Sequence, residues 1–132
     1  MGEGSSQGMV SRREIEEFIR ATFRSVWALE ILCLLRKNRD RPLAHREMVD
    51  SLRASDFVVS QSLDNLASVG LVIREADGSA RYCPSDKTAD RLVAQTEEFY
   101  ATSPNAVRRI IALSINPGLT AFADAFRLRR DD

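Results

Sequence analysis

The sequence predicts a mainly α-helical protein that carries one small β-hairpin. Apolar residues recur at steps of three and four along most of the chain, which is the period of amphipathic helices. The pair Asp77-Gly78 stands between two short apolar runs and is a strong hairpin signal. A length of 132 residues with 44% hydrophobic residues fits one small domain with helical extensions.

The N-terminal part of the chain is expected to be a disordered lead-in at residues 1–10, followed by helices. Ser11 and Glu14 have the S-x-x-E spacing of a capping box, which predicts that a helix begins here. Its apolar stripe consists of Ile15, Phe18, Ile19 and Phe23. Ser25 is a second candidate cap, so the region up to Lys37 is one bent helix or two. The segment NRDRP at 38–42 ends it.

Two further helices and a hairpin are predicted in the middle of the chain. A short helix covers residues 46–53, and after a turn a second helix covers 57–69. Gly70 follows where a left-handed C-cap residue is expected. Residues 71–76 and 80–83 are predicted to be the strands of the hairpin.

The register of this hairpin follows from the turn. If Asp77-Gly78 is a two-residue loop, Arg74 pairs with Arg81 on one face. Two arginines facing each other need compensation, either from a nucleic-acid phosphate or from a neighbouring carboxylate. Ile73 and Tyr82 then share the other face and are expected to pack on the core.

The C-terminal part is predicted to be helical as well. One helix covers 86–100, a second begins at Ser103-Pro104 and runs to Asn116, and a third covers 119–128. We therefore expect a domain at 11–100 and a helical extension at 101–132, used for dimerisation or for packing.

Charge and cysteine content exclude several classes of protein. The chain carries 19 basic and 19 acidic side chains, which argues against a strongly basic histone-like protein and against an acidic disordered chain. No apolar run is long enough for a membrane helix, and no secretory signal is visible. Two cysteines and one histidine supply neither a disulfide framework nor a usual zinc site. We expect a soluble cytoplasmic protein with reduced thiols.

The middle of the chain, residues 43–84, resembles the winged helix-turn-helix of bacterial transcription regulators, most nearly the MarR-type group. The residues that carry the resemblance are Leu43, Glu47-Met48-Val49, Val59-Ser60, Leu63, Leu66, Gly70-Leu71-Val72 and Asp77-Gly78. The resemblance implies a winged helix-turn-helix with flanking N- and C-terminal helices that pair two subunits. It also implies that the second helix enters the major groove of double-stranded DNA and that the hairpin, or wing, contacts the backbone.

The face of the second helix opposite its apolar stripe supplies the candidates for base contact: Phe57, Val58, Gln61, Asp64 and Asn65. Gln61 and Asn65 have the amide groups that pair with adenine, and Asp64 could accept from cytosine N4. The apolar side chains of Phe57 and Val58 suit thymine methyl groups. The alternative is a solvent-facing polar surface. No Lys or Arg lies between Ala54 and Leu71, which departs from the common pattern of the family.

The candidates for contact with the DNA backbone are mostly arginines on either side of that helix. They are Arg39, Arg41, Arg46, Arg53, Ser60, Arg74 and Arg81. The zero net charge therefore hides a locally cationic stretch, from Arg36 to Arg53. A solvated charged surface is the alternative interpretation.

The sequence contains no residue set for catalysis, and no cofactor or metal is expected. His45 is the only histidine and lacks partners at suitable spacing. Cys33 lies in an apolar helix and is expected to be buried, whereas Cys83 lies in the predicted wing, where redox sensing is conceivable.

Two hypotheses about function remain. The first is a sequence-specific DNA-binding transcriptional regulator that acts as a homodimer. Its dimer surface would be the apolar stripe of the first helix or the stripe of Leu119, Phe122 and Phe126, unless these pack within one chain. The second is the same fold used as a protein-interaction module with little DNA affinity, because the second helix lacks cations and presents Phe57 and Val58.

Overall fold

A computed structural model of the chain describes residues 11–115, which form six helices and one two-stranded antiparallel sheet. The order is α1 (Arg12–Thr22), α2 (Val26–Lys37), α3 (His45–Leu52), α4 (Asp56–Ser68), β1 (Val72–Arg74), β2 (Ala80–Tyr82), α5 (Lys87–Thr102) and α6 (Pro104–Ile115). The predicted mainly helical class with a small hairpin is confirmed. The lead-in at 1–10, the end of α6 at Asn116 and the helix at 119–128 lie outside the described residues.

Local capping groups set the helix boundaries where the sequence predicts them. Ser11 Oγ accepts a hydrogen bond from Glu14 N at 3.1 Å, and the Glu14 carboxylate accepts one from Ser11 N at 2.9 Å. Ser25 Oγ accepts from Ala28 N, so α1 and α2 are two separate helices. Gly70 has a φ of 77°, a left-handed conformation that glycine adopts without the cost that a side chain adds.

Helix α2 is the centre of the fold because it is apolar on nearly all sides. Its residues Ala28, Leu29, Ile31, Leu32 and Leu35 are at most 1% exposed. Helices α3 and α4 and strand β2 pack against it. The remaining helices form a second group, in which α1 contacts both α5 and α6.

The apolar stripe of α1 is buried within the chain. Ile15, Ile19 and Phe23 are at most 6% exposed, and Phe18 packs edge-on against Phe23 with the ring centroids 6.0 Å apart. Because α5 and α6 cover this helix, its stripe is not a free dimer surface. The other candidate stripe, Leu119, Phe122 and Phe126, lies outside the described residues.

The hairpin forms as predicted, but its register differs by one residue. Val72 pairs with Tyr82, Ile73 with Arg81 and Arg74 with Ala80. Gly78 N donates to Glu75 O, and Glu75 N donates to Ser79 O. The loop therefore consists of three residues, 76–78, rather than two. Of these loop residues only Gly78 has a positive φ, 92°, which is the geometry of a turn followed by a glycine bulge.

This register overturns two predictions about the hairpin. Arg74 and Arg81 do not face each other: Arg74 shares a face with Val72, and Arg81 shares the opposite face with Ile73. Ile73 is 41% exposed instead of packed on the core, whereas Tyr82 is buried as expected. A loop longer by one residue moves every side chain of one strand to the other face, which accounts for both errors.

A third short strand contact joins the hairpin to the start of α3. Leu43 and Ala80 form an isolated antiparallel bridge through two backbone hydrogen bonds of 2.8 and 3.0 Å. Leu43 is 3% exposed and Ala80 is fully buried. The bridge fixes the hairpin beside α3 and α4. No helix in the described part of the chain is both long and apolar enough to cross a membrane.

The observed register can be tested with a pair of threonine substitutions. Val72→Thr places a hydroxyl at a position that is 4% exposed, so we expect a loss of about 1–3 kcal/mol in the free energy of unfolding. Ile73→Thr changes a 41% exposed side chain and should cost less than about 1 kcal/mol. Urea unfolding of both variants measures the difference. A larger loss for Ile73→Thr would support the two-residue loop instead.

Candidate nucleic-acid interface

Helix α4 buries its apolar face and presents a mainly polar face, the outer face, to solvent. Ser55 caps its N-terminus, since Ser55 Oγ accepts from Val58 N at 3.1 Å. Val59, Leu63 and Leu66 are fully buried, because this face packs on α2. Phe57 is 67% exposed, Gln61 is exposed and Ser60 is half-buried. Two of the predicted base-contact residues, Phe57 and Gln61, are therefore accessible side by side on the outer face.

Asn65 does not belong to that outer face. It is 7% exposed, its Oδ1 accepts from Arg24 N at 2.9 Å, and its Nδ2 donates to Thr22 O at 2.8 Å. Asn65 therefore lies in the interior and not on the exposed face from which the sequence predicts contact with a base. It lies only about 100° around the helix from Leu66, and the buried arc extends over it because α4 also packs against the corner between α1 and α2.

Asp64 is exposed at the centre of the outer face but has a partner. The Arg74 guanidinium from β1 forms a hydrogen-bonded ion pair with the Asp64 carboxylate. The sequence leaves two partners open for Arg74, a phosphate or a neighbouring carboxylate. In the structure its partner is the carboxylate of Asp64. The positive charge of Arg74 offsets the negative charge that Asp64 places on this face.

A groove of about 420 Å³ runs between α4 and the corner that joins α1 to α2, beside the outer face. It is lined by Val58, Gln61, Asp64 and Ser68 of α4 and by Arg24 and Trp27 of the α1–α2 region, among others. Arg24 is exposed and has no acidic partner among residues 11–115, and Trp27 is 41% exposed. Neither residue is among those that the sequence predicts for the interface. The capping serine at position 25 marks the corner that carries them, but only the folded chain brings this corner to α4.

The predicted backbone-contact arginines differ in their surroundings. Arg41 forms a bidentate ion pair with Glu47, and its hydrogen bonds lower the pKa of the Glu47 carboxyl below its usual value. Arg46 pairs with Asp50 one turn further along α3. Arg53 and Arg81 are exposed and have no acidic partner in the described part of the chain.

Two of these arginines occupy special positions. Arg53 ends α3 in a left-handed conformation with a φ of 54°, which a residue with a side chain rarely adopts. Arg39 lines two grooves beside α5, and neither groove includes a residue of α4. The structure thus brings Arg74 to the outer face of α4 but places Arg39 elsewhere.

The contacts of His45 and of Cys33 are those of residues that support the fold. His45 Nε2 lies 3.1 Å from Asp56 Oδ1, which links the starts of α3 and α4. Burial and the nearby carboxylates of Glu97 and Glu30 raise the pKa of the Cys33 thiol to about 12, so this thiol is a poor nucleophile at neutral pH. Both cysteines are free. Within residues 11–115 no group of three potential ligands could hold a metal ion.

The assignment of Asn65 to the interior can be tested by its effect on stability. Asn65→Ala leaves the Arg24 N–H and the Thr22 carbonyl without their partner, so we expect a loss of about 1–3 kcal/mol in the free energy of unfolding. Gln61→Ala, one turn earlier on the exposed face, is the matched control and should change it by less than about 0.5 kcal/mol. Equal effects in urea unfolding would contradict the assignment.

Comparison with known proteins yields no match for this chain. No family model matches it, and no curated protein and no solved structure is similar enough to count as a relative.

Proposed function

We propose that the chain is a winged helix-turn-helix DNA-binding transcriptional regulator of the MarR type that acts as a homodimer. The observation that carries the proposal is the free polar face of α4 beside a β-hairpin. The order of elements supports it: a buried helix, a one-residue strand contact at Leu43, two short helices and an antiparallel hairpin. In a winged helix-turn-helix this order puts the second short helix into the major groove and the hairpin onto the DNA backbone.

In this proposal α4 reads the bases and its neighbours hold the backbone. Gln61 has the side-chain amide that pairs with adenine, and the exposed ring of Phe57 suits a thymine methyl group. Arg81 and Arg53 are free to contact phosphates because they have no acidic partner among residues 11–115. Arg41, Arg46 and Arg74 would have to exchange a carboxylate for a phosphate, which lowers the gain from each contact.

The homodimer is proposed because two copies would match two half-sites of DNA. Its surface is not the stripe of α1, which α5 and α6 cover. The C-terminal stripe of Leu119, Phe122 and Phe126 is the remaining candidate of the two that the sequence offers.

Selection from a pool of random DNA duplexes tests this function, followed by fluorescence anisotropy on the selected and on a scrambled duplex. We expect binding that weakens steeply between about 50 and 200 mM salt. Gln61→Ala should cost about 1–3 kcal/mol on the selected duplex and little on the scrambled one. Arg81→Ala should weaken binding to both and lower the salt slope by about one.

The control for this experiment is Arg13→Ala, because Arg13 is largely exposed on α1 and, among residues 11–115, pairs only with Glu17. This variant should bind like the unmodified chain. No saturable binding to any duplex at about 50 mM salt would refute the proposed function.

A protein-interaction module is the second candidate, and the exposure of Phe57 favours it. At 67% this ring is the most exposed large apolar side chain among the described residues, and α4 itself carries no cation. An apolar surface without cations suits a protein partner better than a phosphate lattice.

The two candidates predict different results for Phe57→Asp. In nuclease-treated extracts, a protein-interaction module should retain a partner that Phe57→Asp loses and Arg81→Ala keeps, while no duplex binds. A DNA-binding regulator should instead show weaker binding of Phe57→Asp to the selected duplex, since the carboxylate replaces an apolar contact and repels phosphate. Loss of helical signal in circular dichroism would show that the substitution acts through folding.

A further inference from the structure

Arg24 occupies a fixed position beside the outer face of α4, although it lies outside the helix-turn-helix segment. It is the middle residue of the corner between α1 and α2. Phe23 is 1% exposed and anchors one side of the corner in the core, and Ser25 caps α2 on the other side. The Arg24 side chain between them is exposed and lines the groove along α4.

Asn65 holds this corner against α4 from the inside. Its side-chain amide accepts from Arg24 N and donates to Thr22 O, so both of its polar atoms are used by the corner. The amide is 7% exposed and Thr22 is 6% exposed, so the bonds are shielded from water. A buried amide that binds two backbone groups of this corner fixes the backbone of Arg24 relative to α4.

The charges around α4 leave Arg24 with no partner in the described part of the chain. Asp64 is paired with Arg74 on the hairpin side, and Asp56 lies against His45 at the start of the helix. Arg24 lines the same groove as Asp64 but forms no ion pair with it. Among residues 11–115, a guanidinium without a carboxylate partner therefore stands on the Asn65 side of α4, about 100° around the helix from the Asp64–Arg74 pair.

We propose that Arg24 contacts the DNA backbone beside α4 and that Asn65 is the positioning residue for this contact. The inference rests on the proposed function. A helix in a major groove about 12 Å wide has phosphates along both flanks, so cations are needed on both sides of it rather than within it. The hairpin arginines serve one flank and Arg24 serves the other. The exposed Trp27 beside it offers an apolar surface to the sugar.

The salt dependence of DNA binding tests this contact. Arg24→Ala should weaken binding to the selected and to the scrambled duplex alike, and should lower the slope of log K against log salt by about 0.9. The loss of affinity between about 50 and 200 mM salt then shrinks about threefold. Arg24→Lys keeps the charge and should restore the slope. Arg20→Ala, an exposed arginine at the end of α1, is the matched control and should leave the slope unchanged.

Asn65→Ala tests the positioning role. It should lower the salt slope as Arg24→Ala does, and adding Arg24→Ala to it should produce little further change. If Asn65→Ala fails to fold, the Arg24 variants still decide whether Arg24 contacts the DNA backbone. Binding of the unmodified chain with an unchanged slope for Arg24→Ala overturns the inference and leaves the proposed function intact. Absence of binding by the unmodified chain overturns the proposed function, and the inference with it.

Discussion

The burial of α2 on nearly all sides is the constraint on which the rest of the fold depends. A helix whose residues Leu29, Ile31, Leu32 and Leu35 all exclude water needs other elements on every side. Helices α3 and α4 and strand β2 supply that cover. Because α4 uses its apolar face for this contact, its polar face must point outward. The free surface of α4 is thus a consequence of how the core is covered.

The few charged residues of α2 fix how α5 lies beside it. Arg36 forms an ion pair with Glu97, and Glu30 accepts a hydrogen bond from the Tyr100 hydroxyl. Arg36 Nε is buried without a hydrogen-bond partner in the described part of the chain, so this guanidinium depends on its carboxylate contact. Charged groups in a buried helix need matched partners, and these partners hold α5 at one register along α2.

The sequence predicted what local chemistry determines. The capping serines 11 and 25, Gly70 and the Asp77-Gly78 pair placed the helices and the hairpin, because each acts on its own neighbours. The burial of Asn65 could not be predicted, because the groups that Asn65 binds, in Thr22 and Arg24, are more than 40 residues away in sequence. The hairpin register failed for a related reason: whether Ala76 joins the loop depends on backbone geometry that residue types do not specify.

The zero net charge of the chain is compatible with the proposed contact to DNA, because binding depends on where the cations lie and not only on their total number. Helix α4 carries no cation, and its Asp64 would repel a phosphate if Arg74 did not pair with it. In the proposed complex, cations on neighbouring elements, Arg24 at the corner and Arg81 on the hairpin, would hold the DNA backbone while α4 meets the bases. This arrangement would keep cations, which bind every duplex equally well, away from the surface of α4 that is proposed to contact the bases. Such a division gives up affinity on the helix itself and retains discrimination between bases.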